Sequence, residues 1–349
     1  MMPMLYRLLL TAFLAVFMMV AAPAAYAQLD QVASPNSPSA KEEVQLYQQL
    51  QGKISGDVTI PDRKLATLVQ PEGREWREFR NFWARIISAV MIFGMLAGLV
   101  AFYLFRGKIR IQAGRVGRTV TRFMPVERFA HWLAASSFIV LALTGLALAF
   151  GRSLLIPVIG AEAFSAFAHY GKIAHNYLSF PFVLGILMML VLWIRDNIPE
   201  KADLVWIKQG GGFLNNGSHP EAGRFNAGQK MIFWTVVLGG LAMALSGYML
   251  MFPFALTGVG GMQIAHIIHS LGTAVMVSVI LGHIYIGTLG MEGAFDAMGN
   301  GEVDLNWARE HHAGWLKTEG ISTDTRDGPS LVPTGRRHDG HGGHEAAAD

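Results

Sequence analysis

Long unbroken apolar runs dominate this chain. Five segments, Ile86–Phe105, Trp132–Phe150, Tyr177–Ile194, Met231–Phe252 and Ile264–Leu289, contain no Asp, Glu, Lys or Arg. Each approaches or exceeds the ~20 residues that carry an α-helix across hydrocarbon. Lipid offers no partner to a backbone N–H or C=O, and the alternating pattern of a closed barrel is absent, so the runs predict membrane-spanning helices. A shorter run, Leu8–Val20, follows Arg7 and leads to Ala25-Tyr26-Ala27, a small-x-small processing pattern. It predicts a cleavable signal peptide over residues 1–27. The polar stretch that follows carries Pro35, Pro38, Pro61 and Pro71. It reads as an exported (periplasmic) segment over 28–85 with one short helix near Glu42–Leu50.

Charge between the runs sets the expected topology. Arg106, Lys108, Arg110, Arg115, Arg118, Arg122 and Arg128 stand against one acid, Glu127. Lys and Arg concentrate in cytoplasmic loops, which puts this loop inside. The 195–228 connection carries Arg195, Lys201, Lys208 and Arg224, whereas 253–262 has no charge and 151–172 has only Arg152, Glu162 and Lys172. The expected arrangement is an exported N-terminus, five crossings and a cytoplasmic C-terminus. The end of the chain is biased to Gly and His and predicts a disordered tail over 319–349.

Composition narrows the chemistry. Of 349 residues, 52% are hydrophobic and 15% charged, against about 25% charged in soluble domains. There is no cysteine, which excludes disulfides, cysteine-ligated iron–sulfur clusters, thiolate-ligated haem and covalent c-type haem. Nothing in the chain points to nucleic acid.

Ionisable or ligating side chains in a membrane default to functional roles, and four histidines fall within or at the ends of the runs: His131, His175, His269 and His283. His269 and His283 are fourteen residues apart. That is nearly four turns, so both point to one helix face about 21 Å apart along the axis. A single metal cannot use both. His131 is expected to begin the second crossing at the cytoplasmic face, and His175 the third at the exported face. Matching depths pairs His175 with His269 and His131 with His283. Iron held by two imidazoles has no open position, which suits electron transfer. His266 lies one turn from His269 on another face, and His169 is expected in an exported loop; neither is preferred as a ligand. Gly171, Gly272 and Gly282 either admit a macrocycle or pack helices. Gly94 and Gly98 read as a helix-packing motif.

Before the fourth crossing stands Phe225-Asn226-Ala227-Gly228-Gln229-Lys230. Asn and Gln amides can bond a quinone carbonyl and Gly allows close approach of a ring. Taken alone, an ordinary helix cap explains the run equally well.

These motifs occur in a telling order. Glu127-Arg128-Phe129-Ala130-His131-Trp132, Asn197-Ile198-Pro199, the 225–230 run, Ile267-Ile268-His269, Gly282-His283-Ile284-Tyr285 and Trp307-Ala308-Arg309-Glu310-His311-His312 together resemble the gamma, cytochrome b, subunit of membrane-bound formate dehydrogenase over about 120–318. The resemblance implies two haems b on the four histidines, His131 with His283 inside and His175 with His269 outside. It implies menaquinone at Asn226, Gly228, Gln229 and His283. It also implies an iron–sulfur beta subunit as donor, fed by a molybdenum or tungsten alpha subunit that oxidises formate. No formate chemistry is expected on this chain.

The expected fold is therefore an all-α membrane protein of the bacterial plasma (inner) membrane. A four-helix dihaem bundle over 106–318 is preceded by an additional crossing at 86–105. Alternatives are a cytochrome b anchor of a hydrogenase or another molybdoenzyme, and a haem-free transporter or anchor.

Overall fold

The computed structural model describes residues 72–212 and 221–321. The signal peptide, residues 28–71 of the 28–85 segment and residues 322–349 of the tail lie outside the described residues. The chain divides into two compact units between Asn81 and Phe82. The described part of the first is the helix Glu72–Glu78 and the start of the π-helical turn Phe79–Trp83.

The second unit contains, in order, α1 (Ala84–Arg106), β1 (Thr119–Thr121), α2 (Pro125–Leu154), α3 (Ile156–Trp193), α4 (Lys201–Lys208), α5 (Ala227–Met251), α6 (Val259–Tyr285), β2 (Glu302–Asp304), α7 (Leu305–His311) and α8 (Ala313–Thr318). Among the described residues, five helices are long and apolar enough to cross a membrane, and they cover the five predicted runs to within one residue. Side chains such as Val90, Phe93, Leu143, Leu184, Leu238 and Ile264 stand on their outer surfaces, as expected where lipid is the solvent.

The helices extend beyond the apolar runs, and local chemistry sets their ends. Pro125 starts α2, where its missing N–H costs nothing. The Glu127 carboxylate accepts the Met124 N–H at 2.7 Å, capping the same turn. His131 is therefore already in the second turn of α2. In α3 the break falls at Gly160, whose φ of 81° suits glycine. The next residues include Ala161, Ala163, Ala166 and Ala168, good helix formers, so the helix runs well ahead of the apolar stretch. His175 consequently sits mid-helix rather than at the helix start, and His169 is an exposed residue of α3 rather than a loop residue. Pro181 removes one backbone donor further along.

α2 lies along α3, α6 packs on α1 and α5, and α3 touches α5. The backbone of α6 comes little within reach of α2 or α3, which leaves a separation between the two halves of the bundle. Gly94 and Gly98 do not pack against another helix: a Cβ at either would meet nothing within 4 Å.

A polar cap gathers at one end of the bundle and is the departure from an all-helical chain. β1 pairs antiparallel with β2, Val120 opposite Val303. The Val116 and Gly117 N–H groups donate to Asp304, each at 3.0 Å, and those of Gln112 and Ala113 to Glu310 at 3.0 and 2.9 Å. Arg115 pairs with Asp296 at 3.1 Å. Val120, Phe123, Trp193, Phe225, Leu305, Trp307 and Trp315 form the buried apolar centre beneath.

Candidate functional site

The four histidines form two ring pairs bridging the separated halves of the bundle. His131 of α2 faces His283 of α6, and His175 of α3 faces His269 of α6; ring centroids are 6.1 Å apart in each pair. Imidazole nitrogen binds a first-row metal at about 2 Å, so two rings on opposite sides of one iron place their centroids about 6 Å apart. Among the described residues no cluster of three or more His, Cys, Asp or Glu could hold a metal ion. Each pair therefore offers two donors, the complement of a macrocycle that brings four of its own. The spacing, the donor set and the gap between α6 and α2–α3 fit haem.

The two pairs are supported differently. Thr144 donates its hydroxyl hydrogen to the Val140 carbonyl at 2.7 Å, which leaves its oxygen to accept from His175 Nδ1 at 2.9 Å. Ser246 donates to the Ala242 carbonyl at 2.8 Å and accepts from His269 Nδ1 at 3.2 Å, where the Met243 carbonyl also accepts at 3.2 Å. Both Nδ1 atoms thus carry the proton, and both Nε2 atoms keep the lone pair a metal needs. A glycine follows each hydroxyl residue. A Cβ at Gly145 would stand 3.4 Å from His175 Cε1, and one at Gly247 3.0 Å from His269 Cε1. Nothing in the sequence analysis singled out these Thr-Gly and Ser-Gly steps. Their signal was a small hydroxyl beside glycine, repeated inside two apolar runs.

At the other pair, His131 Nδ1 is buried with no hydrogen-bond partner among the described residues. Support reaches His131 through its helix. Glu127, one turn earlier, accepts from Trp193 Nε1 at 2.8 Å and from Arg224 at 2.7 and 2.9 Å. Arg224 also pairs with Asp196 at 2.9 Å. Arg128 donates to the carbonyls of Met298, Gly299 and Asn300, and Trp132 Nε1 donates to Met298 at 2.9 Å. The Glu-Arg-x-x-His-Trp motif therefore pins the start of α2 to the cap.

Asn226 and Gln229 form a reciprocal helix cap. Gln229 N–H donates to Asn226 Oδ1 at 2.9 Å, and Asn226 N–H donates to Gln229 Oε1 at 3.0 Å. The cap uses the oxygen of each amide and leaves the NH2 groups as the ends able to donate. Gly228 makes room for Trp206 of α4: a Cβ there would lie 2.9 Å from its ring. Lys230 is buried and donates to Asp203 at 2.9 Å and to the Ile198 carbonyl at 3.0 Å. The structure brings Asn226, Gly228 and Gln229 together, but no hydrogen bond or ring contact among the described residues joins them to His283. His266 and His169 enter neither pair. Gly171 packs against the Thr144 methyl group and Gly272 against the Met243 sulfur, while Gly282 is open.

The cap carries one further cluster. Arg122 is buried beneath Trp307, with its guanidinium 4.9 Å from the ring centroid, and reaches Gln229 Oε1 at 3.4 Å. Burial, and then the neighbouring Arg224, lower its pKa to about 9, so it remains cationic at neutral pH. His312 is 1% exposed. Burial and then the Arg122 charge hold it well below the usual histidine value, and its Nδ1 donates to the Gly223 carbonyl at 2.8 Å.

A family model described as prokaryotic cytochrome b561 matches residues 122–301. The chain is 26% identical over 211 residues to the formate dehydrogenase cytochrome b556(fdo) subunit of Escherichia coli K12, covering 60% of this chain and 97% of that one. It is 26% identical over 206 residues to the nitrate-inducible formate dehydrogenase cytochrome b556(Fdn) subunit of the same organism, covering 57% and 91%. The formate dehydrogenase cytochrome b556 subunit of Haemophilus influenzae matches at 26% over 208 residues, covering 58% and 84%. The resemblance seen in the motifs thus extends over the matched region. The ring pairs, the Glu127 network and the Asn226–Gln229 cap all lie inside residues 122–301.

Proposed function

The chain belongs to the prokaryotic cytochrome b561 family, whose members carry haem b, and from that premise we propose that it is the dihaem, quinone-reducing subunit of a membrane-bound formate dehydrogenase. The observation that carries this reading is the pair of 6.1 Å imidazole couples at two levels of one helix. A haem at each couple supplies one-electron transfer. His175 and His269 hold the first, and His131 and His283 the second, about 21 Å further along α6. The names of the relatives support formate dehydrogenase as the complex, and with it an iron–sulfur beta subunit and a molybdenum or tungsten alpha subunit.

The basic residues at 106–128 support a cytoplasmic position for the cap in a bacterial plasma membrane, with the N-terminal segment outside. Electrons then enter at the His175–His269 level and leave at the His131–His283 level. Asn226 and Gln229 stand at the N-terminus of α5 in that cap, where their NH2 groups and the free helix amides stabilise a quinone oxygen as charge develops on it. Gly228 lets the Trp206 ring pack closely against that turn, and His283 is proposed as the haem ligand at the same membrane level. Protons come from cytoplasmic water at the cap.

The test is a pyridine haemochrome assay on the purified chain, which should give two haems b per polypeptide. His283→Ala should retain one, and a colourless wild-type protein expressed with ample haem would end the reading. The family description names no electron donor, so a hydrogenase or another molybdoenzyme is the second reading, and the co-purifying subunits decide between them.

A further inference from the structure

The hydrogen bonds behind the histidines are unequal, and the inequality has a direction. At His175 and His269 every Nδ1 proton is given to an acceptor: the Thr144 oxygen and the Leu141 carbonyl at one ring, the Ser246 oxygen and the Met243 carbonyl at the other. Each hydroxyl has already spent its own hydrogen on a carbonyl one turn back, so neither can reverse its role. A hydrogen bond of this kind pulls the Nδ1 proton outward and pushes electron density toward Nε2, making the imidazole a stronger donor. A stronger donor favours the oxidised iron and lowers its reduction potential.

The opposite holds at the second pair. His131 Nδ1 is buried with no hydrogen-bond acceptor among the described residues. The Glu127 carboxylate, one turn before His131 on α2, would lower the potential at that level if its charge were bare. Instead it is neutralised by Arg224 and saturated by Trp193. Arg122 and Arg128 add positive charge on the same side. Positive surroundings favour the reduced iron, so both effects raise this site relative to the other.

We propose that Thr144 and Ser246, with the Leu141 and Met243 carbonyls, are positioning residues that hold the His175–His269 site at a lower reduction potential than the His131–His283 site. An electron then passes downhill from the first level to the second: one site loses it as the other gains it, with no bond broken and no proton required. The inference rests on the dihaem reading above and adds to it a built-in direction of flow. The two Thr-Gly and Ser-Gly steps act together. The hydroxyl fixes the tautomer, and at Gly247 the missing side chain lets the His269 ring lie close enough to be gripped.

The experiment is a spectroelectrochemical titration of the b-type absorbance of the purified holoprotein. The wild type should show two one-electron waves, and His283→Ala should remove the higher one. Thr144→Val should raise the lower wave by about 59 mV, a tenfold change in the equilibrium for sharing an electron, and leave the higher wave in place. Ser246→Ala should raise it in the same direction, since each ring keeps one backbone carbonyl, Leu141 or Met243, as a remaining acceptor, and Thr144→Ser should restore it. If His283→Ala removes the lower wave, or if neither hydroxyl variant moves it at full haem content, the assignment is overturned while the dihaem reading stands. Absence of haem from the wild type would instead remove the reading beneath it.

Discussion

Arg224 and Glu127 meet through a forked contact, with one guanidinium nitrogen 2.7 Å from Oε1 and 2.9 Å from Oε2 of a carboxylate that is almost wholly buried. The pair joins the loop before α5 to the first turn of α2, one turn ahead of His131. Truncating one member of a buried pair strands its partner and costs about 3–5 kcal/mol. Glu127→Ala should therefore lower thermal stability strongly and lose the haem at His131–His283 before the one at His175–His269. Haem content of purified variants checks this; equal loss at both levels would contradict it.

The two glycines facing the imidazoles should not respond alike. A methyl group at position 145 would sit at 3.4 Å from His175, ordinary contact, but one at 247 would press on His269 at 3.0 Å. Gly145→Ala should keep the full complement of haem, whereas Gly247→Ala should weaken retention of one haem severalfold. Haem release to an apoprotein acceptor measures both.

Asn226 allows its structural and chemical roles to be separated. Asn226→Asp keeps the oxygen that caps α5 but removes the NH2 group. Asn226→Ala removes both and costs about 1 kcal/mol of helix stability. The Asp variant should retain the wild-type melting temperature and haem spectrum. Its quinone reduction should fall by at least about tenfold, the loss of a donor aimed at developing negative charge. An Asp variant with an unchanged rate would leave the motif as a cap and nothing more.

His312 predicts a pH effect on the cap. Its folded pKa is depressed by burial and by Arg122, while the unfolded residue titrates near 6.5. Above that value both states are neutral and the residue contributes no slope. Below it the unfolded chain takes up a proton that the fold refuses, so stability falls by up to about 1.4 kcal/mol per pH unit. Limited proteolysis of the cap between pH 8 and 5.5 should show this loss, and His312→Asn should flatten it. An identical slope in the variant would assign the effect elsewhere.

The membrane helices were legible because uncharged runs leave the backbone no other structure, and the two levels of α6 followed from fourteen residues of helical rise. The ends of helices were less legible. The stretch from Ala161 to Ala174 carries Glu162, His169 and Lys172, and so reads as a loop when apolarity alone is the guide. Thr144 and Ser246 looked like ordinary helix residues, since only the folded chain shows the rings they serve. The cap was hidden for the same reason: Asp304 and Glu310 serve backbone amides nearly two hundred residues earlier. The Gly94 and Gly98 spacing misled because a small-residue step marks a possible contact without saying whether this chain fills it.

That long reach between β1 and β2 also orders events during synthesis. Segment 107–124 leaves the ribosome long before residues 291–321 exist to close over it, so the framework around His131 stays unfinished until the last helices emerge. The His175–His269 level depends on α2, α3, α5 and α6 alone and can take its cofactor sooner. Maturation should thus proceed from one membrane face to the other, and a released chain truncated near residue 290 would carry colour at one level only.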